Sequence, residues 1–185
     1  MEEESYTDNF AGDRVYAQSV VMNIKDGIYP KNISIEELFK RGPFVDLGCG
    51  IGYLLKEIQN AYPNIATIGV DVSEEYLKKS RKESPKSILI HSLLENLPFP
   101  SDSVPILFSS RIYQLCNEGK AADPILREAY RVLEPGDKGI YLLSCEPLDH
   151  IKFYEKIRNA GFDIIDHSEI GVENIYYAAL RKPLK

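Results

Sequence analysis

Short apolar runs alternate along the chain with longer segments in which apolar residues recur at every third or fourth position. The short runs are typical of buried strands, and the periodic segments are typical of helices that cover a sheet with one face. The predicted strands lie at 44–47, 68–73, 87–90, 104–109, 139–145, 162–167 and 174–180. This alternation predicts an α/β fold with a doubly wound, mostly parallel seven-stranded sheet and helices on both of its faces.

The end of the chain differs from the rest. No helical segment separates the predicted strands 162–167 and 174–180, so a short connection can join them only if they run in opposite directions. We therefore expect the last strand to be antiparallel. The chain has 185 residues, which is the length of one compact domain with a substantial core.

A glycine-rich segment follows the first predicted strand. Gly48, Gly50 and Gly52 stand at alternate positions, and a predicted amphipathic helix begins directly after them. Glycine adopts positive φ at no steric cost and has no Cβ, so the backbone can turn sharply and come close to a ligand. A strand, a glycine loop and a helix in this order place backbone N–H groups at the carboxyl end of a strand, where open α/β sheets bind ligands.

The spacing of the glycines is unlike two common nucleotide-binding loops. A dinucleotide fingerprint needs a third glycine where Tyr53 stands, and a phosphate-binding P-loop needs a Gly-Lys pair that does not follow here. Asp46, just before the glycines, would repel a phosphate and attract a cation. Asp71 ends the second predicted strand, where a carboxylate can accept both hydroxyls of a ribose. S-adenosylmethionine, a nucleoside with a positive charge and no phosphate, fits this combination.

Five segments resemble motifs of one protein family. Residues 45–52 resemble the first motif of the class I S-adenosylmethionine-dependent methyltransferases, and residues 69–73 resemble their ribose-binding motif. Residues 95–100 (Glu-Asn-Leu-Pro-Phe-Pro) resemble a turn of the subgroup that includes the ubiquinone-type methyltransferases. Residues 127–136 and 160–162 resemble the turn before the family's fifth strand and the Ala-Gly-Phe of a late strand. The resemblance implies the Rossmann-like fold of this family, with S-adenosylmethionine as the cofactor.

The resemblance also implies a binding site and a division of the chain. The implied cofactor-binding residues are Asp46, Gly48, Cys49, Gly50, Gly52, Tyr53, Asp71, Val72, Ser73, Leu93, Leu94 and Ser109. Residues 1–43 are expected to form a helical segment that covers the site, and residues 44–185 to form the S-adenosylmethionine-binding methyltransferase domain. Neither a catalytic residue nor a metal ligand is assigned.

Three departures from the family concern the adenine, the acceptor and the start of the fourth strand. Relatives carry an acid that contacts the adenine amino group where Leu93 stands, or where Ser92 stands if the alignment is shifted by one. No Asn-Pro-Pro-Tyr follows the fourth predicted strand, and 109–112 (Ser-Ser-Arg-Ile) stands there instead, which argues against methylation of a base or of a glutamine amide nitrogen. Pro105 stands near the start of the fourth predicted strand and lacks a backbone donor, so we expect an irregular strand start.

Structural roles stay open for these residues. Asp46 could cap the glycine turn, and Asp71 could cap the helix that starts near Ser73. On the acceptor side, aromatic residues could cover the cofactor but are more often buried in a core. The acceptor-side candidates, each with an open structural reading, are Phe10, Tyr16, Arg111 and Tyr113, with Glu146 and His150 as candidate bases.

Composition narrows the partners and the location. The formal net charge of −6 argues against a nucleic-acid partner, because such proteins carry a basic surface. The three cysteines and three histidines are scattered, which indicates reduced thiols of a cytoplasmic protein and no metal site. No apolar run is long enough to span a bilayer, and the acidic residues 2–4 are unlike a signal peptide, so no membrane partner is expected.

The sequence leaves three functional hypotheses. The first is an S-adenosylmethionine-dependent methyltransferase that acts on an unidentified O, N or C nucleophile of a small molecule or a protein. The second is a methyltransferase-like accessory subunit that binds the cofactor and acts through a partner subunit. The third, a nicotinamide oxidoreductase, is disfavoured because Tyr53 replaces the last glycine of the dinucleotide fingerprint.

Overall fold

The computed structural model describes residues 10–27, 30, 33–110, 112, 122–145, 150–170 and 175–184. The helices in these ranges are α1 (Phe10–Lys25), α2 (Ile35–Phe39), α3 (Tyr53–Ala61), α4 (Glu74–Glu83), α5 (Ala122–Val132) and α6 (His150–Asn159). The strands are β1 (Phe44–Leu47), β2 (Thr67–Asp71), β3 (Ile88–His91), β4 (Ile106–Ser110), β5 (Ile140–Cys145), β6 (Asp163–Ile170) and β7 (Ile175–Arg181).

These strands form one seven-stranded sheet in the order β3-β2-β1-β4-β5-β7-β6. The strands β1 to β5 are parallel to their neighbours in that series, and β7 lies antiparallel between β5 and β6. The predicted fold class and the reversed last strand are confirmed. Because the winding changes direction at β1, the carboxyl ends of β1, β2 and β4 border a crevice of the kind that binds ligands in open α/β sheets.

An apolar layer covers each face of the sheet. On one face, α5 and α6 pack against a core that includes Val45 and Leu107. On the other face, α1, α2 and α3 pack against a core that includes Phe44 and Phe108. Successive strand residues point to opposite faces, so the even-numbered residues of β1 and β4 share the face that α1 covers, called the α1 face below.

Signals in the sequence determine several element ends. Ser34 and Ser73 are N-caps of α2 and α4, because each Oγ accepts a hydrogen bond from the N–H three residues on. Pro105 lies outside the fourth strand, which begins at Ile106, and Val104 instead forms an isolated bridge. The irregular strand start that Pro105 predicts is therefore present.

Two charged residues of α5 hold the turn at 95–100. Glu128 accepts a hydrogen bond from the Leu97 N–H at 2.9 Å, and Arg131 donates to the Leu97 and Phe99 carbonyl oxygens at 3.0 and 2.9 Å. Arg131 also binds Glu128 through Nε and Nη2 at 2.7 and 2.8 Å. The hydrogen bond from Arg131, aided by the Leu97 N–H, lowers the pKa of Glu128 below its usual range. Segments 95–100 and 127–136 are thus the two sides of one contact.

The Glu128→Gln variant is expected to lose about 1–3 kcal/mol of unfolding free energy at neutral pH, because charge-assisted hydrogen bonds are weakened. The folded pKa is lowered, so the contribution of the carboxylate is fully present above the unfolded value of about 4.3 and is lost as the pH falls through the folded value. Urea unfolding at neutral and acidic pH should therefore show a difference that shrinks in acid. Glu75→Gln, which removes an exposed ion pair with Lys79, is the control and should cost well under about 1 kcal/mol.

Candidate functional site

Hydrogen bonds fix the glycine loop between β1 and α3 to the end of β2. Gly48, Gly50 and Gly52 have φ values of 72°, 51° and 84°, in the left-handed region that favours glycine. The N–H groups of Gly48 and Cys49 donate to the Val70 carbonyl oxygen at 2.7 and 3.0 Å. The loop therefore lies at the carboxyl ends of β1 and β2, beside the point where the winding of the sheet changes direction.

Two of the glycines serve different purposes. A Cβ at Gly52 would lie 2.2 Å from Ser80 Oγ and 3.3 Å from Ser80 Cα, so this glycine allows α3 and α4 to pack closely. A Cβ at Gly50 would meet no atom of the described residues within 4 Å. Gly50 therefore faces open space, through which a ligand could approach the loop backbone.

Asp71 connects the glycine loop to the turn after β2. Its side chain is buried, and its two carboxylate oxygens accept hydrogen bonds from the N–H groups of Gly50 and Ser73, both at 2.8 Å. The structural alternative for this residue, a role in the turn before α4, is therefore present in the fold. A carboxylate offers about four acceptor positions, so these two bonds leave capacity for ligand hydroxyls.

Cys49 turns its side chain into the space above Gly69. A Cβ on Gly69 would lie 2.7 Å from Cys49 Sγ, so the absence of that Cβ makes room for the thiol. Burial, and to a smaller degree the carboxylates of Asp46 and Asp71, raises the pKa of Cys49. The thiol stays protonated and inert, and a ligand in the loop would meet the Cys49 backbone.

Asp46 is a buried acid that has no partner among the described residues. Its side chain is 4% exposed and lies on the α1 face of β1, and no described residue gives it a hydrogen bond or an ion pair. Burial, followed by the charge of Asp71, raises the pKa of Asp46. A buried carboxylate without a partner is costly, so a cationic ligand at this position would be stabilising and an anionic one would be repelled.

A cavity of about 130 Å³ lies between the glycine loop, the ends of β1 and β4, and α1. Asp46, Phe108 and Ser110 line it from the sheet, and Asp13 and Tyr16 line it from α1. The other lining residues are Ala17, Gly48, Cys49, Gly50, Ile51, Gly52, Tyr53 and Leu54. Helix α1, which belongs to the segment 1–43, therefore borders the predicted site.

Two exposed apolar side chains follow β2 and β3 at the same edge of the sheet. Val72 and Leu93 are each 58% exposed. Asp71 and His91, at the ends of these strands, are paired in the sheet, and His91 Nε2 donates to the Val72 carbonyl oxygen at 2.8 Å. The side chains of Val72 and Leu93 can make apolar contact with a planar ring, but they cannot form a hydrogen bond with it.

The remaining predicted residues near β3 and α4 use their side chains in the fold. Ser92 Oγ donates to the carbonyl oxygens of Leu93 and Asn96 at 3.2 and 3.0 Å, so it closes the turn after β3. Leu94 is partly buried against the core. Ser73 Oγ caps α4. At Ser73, a ligand would therefore meet the backbone before the hydroxyl.

The structure distinguishes Ser109 from its neighbour Ser110. The Ser109 side chain is fully buried on the face away from α1 and shares a hydrogen bond with the Tyr141 hydroxyl. Ser110 lies on the α1 face and lines the cavity. Asp46 is paired with Phe108, and the two-residue period of a strand puts Ser110 on the same face as both. Ser110 is not among the predicted site residues, although the two-residue period of the strand indicates it.

Other acceptor-side candidates fall outside what can be described. Arg111, Tyr113 and Glu146 lie outside the described residues, as do the side chains of Phe10 and His150. Within the described part of the chain, no helix has the length and apolar character needed to cross a membrane. The same residues include no group of three or more His, Cys, Asp or Glu side chains that could hold a metal ion.

A family profile described as "Methyltransferase domain" matches residues 45–141, more than half of the 185-residue chain. The chain belongs to this methyltransferase family. A relative is the malonyl-[acyl-carrier protein] O-methyltransferase of Dechloromonas aromatica, which is 32% identical over 123 residues. The match covers 66% of this chain and 42% of that enzyme, so the chain spans less than half of its relative's length.

Solved structures share the fold of this methyltransferase domain. An S-adenosylmethionine-dependent methyltransferase from Clostridium acetobutylicum superposes with a TM-score of 0.75 at 10% identity, over 96% of each chain. A methyltransferase from Haloferax volcanii, solved in complex with the Trm112 methyltransferase activator, gives 0.64 at 17% identity, over 97% of this chain and 100% of that one. The cofactor of this family is S-adenosylmethionine, and the cationic preference of Asp46 fits it.

Proposed function

We propose that the protein is an S-adenosylmethionine-dependent methyltransferase that transfers a methyl group to an O, N or C nucleophile. The observation that carries this proposal is the buried carboxylate of Asp46 beside the glycine loop, which has no hydrogen-bond or ion-pair partner among the described residues. The cofactor is a cation, so it would give this carboxylate the partner that no described residue supplies. A dinucleotide would instead bring two phosphates towards Asp13, Asp46 and Asp71, which would repel them.

Different described residues would contact the three parts of the cofactor. Asp46 and the glycine loop would face its charged methionine half, and Asp71 would face the ribose. Val72 and Leu93 would lie against the adenine. The cavity of about 130 Å³ is smaller than the roughly 300–1,000 Å³ of pockets that enclose whole ligands. The adenosine would therefore lie along the open edge after β2 and β3.

The chemistry expected of the chain is alignment. The bound cofactor supplies an activated methyl group, and most of the remaining rate gain comes from holding the acceptor in line with it. Tyr16 and Ser110 line the same cavity as the glycine loop, so the acceptor would bind between α1 and the end of β4. A dedicated general base is not required by this arrangement.

Four finer assignments belong to the same proposal. The turn at 95–100, with its contacts to Glu128 and Arg131, supports placement near the ubiquinone-type subgroup. The position of α1 beside the cavity supports a covering role for residues 1–43. The three scattered cysteines support a cytoplasmic location, and the net charge of −6 supports an acceptor that is not a nucleic acid.

A second candidate function is an accessory subunit that binds the cofactor and acts through a partner. Leu93, an apolar residue where relatives carry an acid, favours this alternative because the adenine amino group loses a charged acceptor. The Haloferax volcanii neighbour, which is solved with an activator, is an example of a methyltransferase that assembles with another subunit. The intact glycine loop and Asp71 favour a complete enzyme.

Calorimetry and a transfer assay test both readings. We expect the purified protein to bind S-adenosylmethionine and S-adenosylhomocysteine but not NAD, because the acids at the loop repel a pyrophosphate. We also expect it to transfer a radiolabelled methyl group to a component of a lysate without an added protein. Binding of NAD in place of S-adenosylmethionine would overturn the proposal. Cofactor binding with transfer only after a co-purifying partner is restored would establish the accessory subunit instead.

A further inference from the structure

Four hydroxyl groups meet on the α1 face where β4, β5 and β7 lie side by side. Ser110 is paired with Ser144 in the sheet, and Ser144 is paired with Tyr177. The fourth hydroxyl is that of Tyr16, which α1 places over these strands. We call Tyr16, Ser110, Ser144 and Tyr177 the hydroxyl cluster.

The cluster is joined by hydrogen bonds through the Tyr16 oxygen. Ser110 Oγ donates to Tyr16 Oη at 3.0 Å, and the Tyr16 hydroxyl shares a further hydrogen bond with Ser144 Oγ. Ser110 Oγ and Ser144 Oγ are 3.5 Å apart. Burial and the contact with Tyr16 raise the pKa of Tyr177. The Tyr177 hydroxyl therefore stays protonated at physiological pH.

The chemistry of this surface changes within one step along the strands. Two residues away on the same face, earlier in β4 and β5 and later in the antiparallel β7, the paired side chains are Phe108, Leu142 and Ala179, which are apolar and fully buried. Buried hydroxyls are tolerated only when they are hydrogen-bonded, so a core could have been completed more simply with apolar residues. This change from apolar to hydroxyl side chains occurs at the cavity, because Tyr16 and Ser110 line the cavity.

The charges around the cavity define the ligand that these hydroxyls suit. Among the described residues, the ionisable groups that line it are Asp13 and Tyr16 on α1, Asp46 on β1, and Cys49 and Tyr53 around the glycine loop. No described lining residue is basic, so a carboxylate or a phosphate of the acceptor would find no counter-charge among them. A hydroxyl can both donate and accept a hydrogen bond, so Tyr16 and Ser110 can exchange one bond within the cluster for one to a neutral O–H or N–H group.

We propose that Tyr16 and Ser110 bind the methyl acceptor, and that this acceptor is a neutral molecule that attacks through a hydroxyl or amine. This inference rests on the proposed function and names the acceptor class of the same site. A lone pair of the acceptor oxygen or nitrogen forms the bond to the methyl carbon while the carbon–sulfur bond breaks. The electron pair of that bond stays on sulfur, which becomes a neutral thioether, and the acceptor proton leaves to water.

Variants on the two faces of the sheet make a matched comparison. Tyr16→Phe and Ser110→Ala remove hydroxyls from the cluster. Tyr141→Phe makes the same chemical change as Tyr16→Phe at a buried tyrosine on the opposite face, away from the cavity. A purely structural role would make the cluster variants and Tyr141→Phe behave alike, and a role in acceptor binding would separate them.

The test uses full-length protein saturated with S-adenosylhomocysteine, whose binding is first verified by calorimetry. Phenol, aniline and benzoate are the probes, because they share one ring and differ in a neutral O–H, a neutral N–H and an anionic head. Ligand-detected NMR should show phenol and aniline bound and benzoate excluded. Tyr16→Phe and Ser110→Ala should weaken binding of both neutral probes by roughly five- to tenfold, as loss of one hydrogen bond does. The Tyr141→Phe variant should bind them as the wild type does.

Three other results would each contradict a different part of the proposal. Failure to bind S-adenosylhomocysteine would overturn the proposed function itself. Binding of the cofactor product with neutral-probe affinities unchanged in both Tyr16→Phe and Ser110→Ala would overturn the role of the cluster. Benzoate bound as well as phenol would overturn the neutral acceptor and favour a carboxylate. Because Ser110→Ala tests the same contact, misfolding of Tyr16→Phe would still leave the inference open to refutation.

Discussion

Gly50→Val is expected to abolish binding of S-adenosylmethionine while the fold stays in place. Gly50 has a φ of 51°, and a Cβ there would meet no atom of a described residue within 4 Å. Without cofactor, the variant should therefore lose unfolding free energy mainly through backbone strain, about 1–2 kcal/mol for an L residue in the left-handed region. The branched side chain would occupy the space through which the cofactor approaches the loop. Calorimetry measures the loss of binding, and urea unfolding measures the strain.

Gly52→Ala is the comparison variant, because its main effect should be on the stability of the fold and not on cofactor binding. A Cβ at Gly52 would overlap Ser80 Oγ and lie 3.3 Å from Ser80 Cα, so α3 and α4 would have to move slightly apart, and the φ of 84° adds backbone strain for an L residue. Its main effect should be a loss of unfolding free energy of about 1–3 kcal/mol, typical of overpacking. A folded Gly50→Val protein that binds S-adenosylmethionine with wild-type affinity would show that the glycine loop is only a turn.

The architecture could be predicted from the sequence because it follows from local patterns. The alternation of apolar strands and amphipathic helices predicts a doubly wound sheet, and the absence of a helix between the last two strands predicts their antiparallel pairing. Ser73 caps its helix as expected, and Pro105 lies just outside β4. Each of these signals acts within a few residues, so it can be recognised without knowledge of tertiary contacts.

The site could be predicted only in part, since side-chain direction depends on strand pairing. The sequence placed Ser109 in the site, but the pleat of β4 turns its side chain into the opposite core and presents Ser110. The contact of Asp71 with Gly50 links two segments across the sheet and is visible only in three dimensions. The same holds for Tyr16, whose hydroxyl meets Ser144 far along the chain because α1 packs on this face.

Asp46→Asn is expected to raise the free energy of unfolding and to weaken cofactor binding at neutral pH. Burial and the nearby Asp71 raise the pKa of Asp46, so the folded protein holds this proton more tightly than the unfolded chain does. The ionised carboxylate therefore opposes folding at pH values above the unfolded pKa of about 3.9, and the penalty grows until the folded pKa is passed. Asparagine has a similar shape and no charge, so the variant should unfold at a higher urea concentration than the wild type at pH 7.

Binding should respond to pH in the opposite sense. A cationic ligand favours the ionised carboxylate, so the affinity of the wild type for S-adenosylmethionine should rise with pH, by at most about tenfold per unit, and level off above the Asp46 pKa. In Asp46→Asn this rise should disappear, because the asparagine side chain carries no titratable group.

Asp163→Asn, at the start of the edge strand β6, is the control and should change neither quantity. An Asp46→Asn protein that is less stable than the wild type and keeps its pH-dependent affinity would contradict the role assigned to Asp46. The opposite signs matter, because a residue that serves packing alone would lower stability and binding together. A carboxylate kept at a cost to the fold, and useful only to a bound cation, should separate the two measurements.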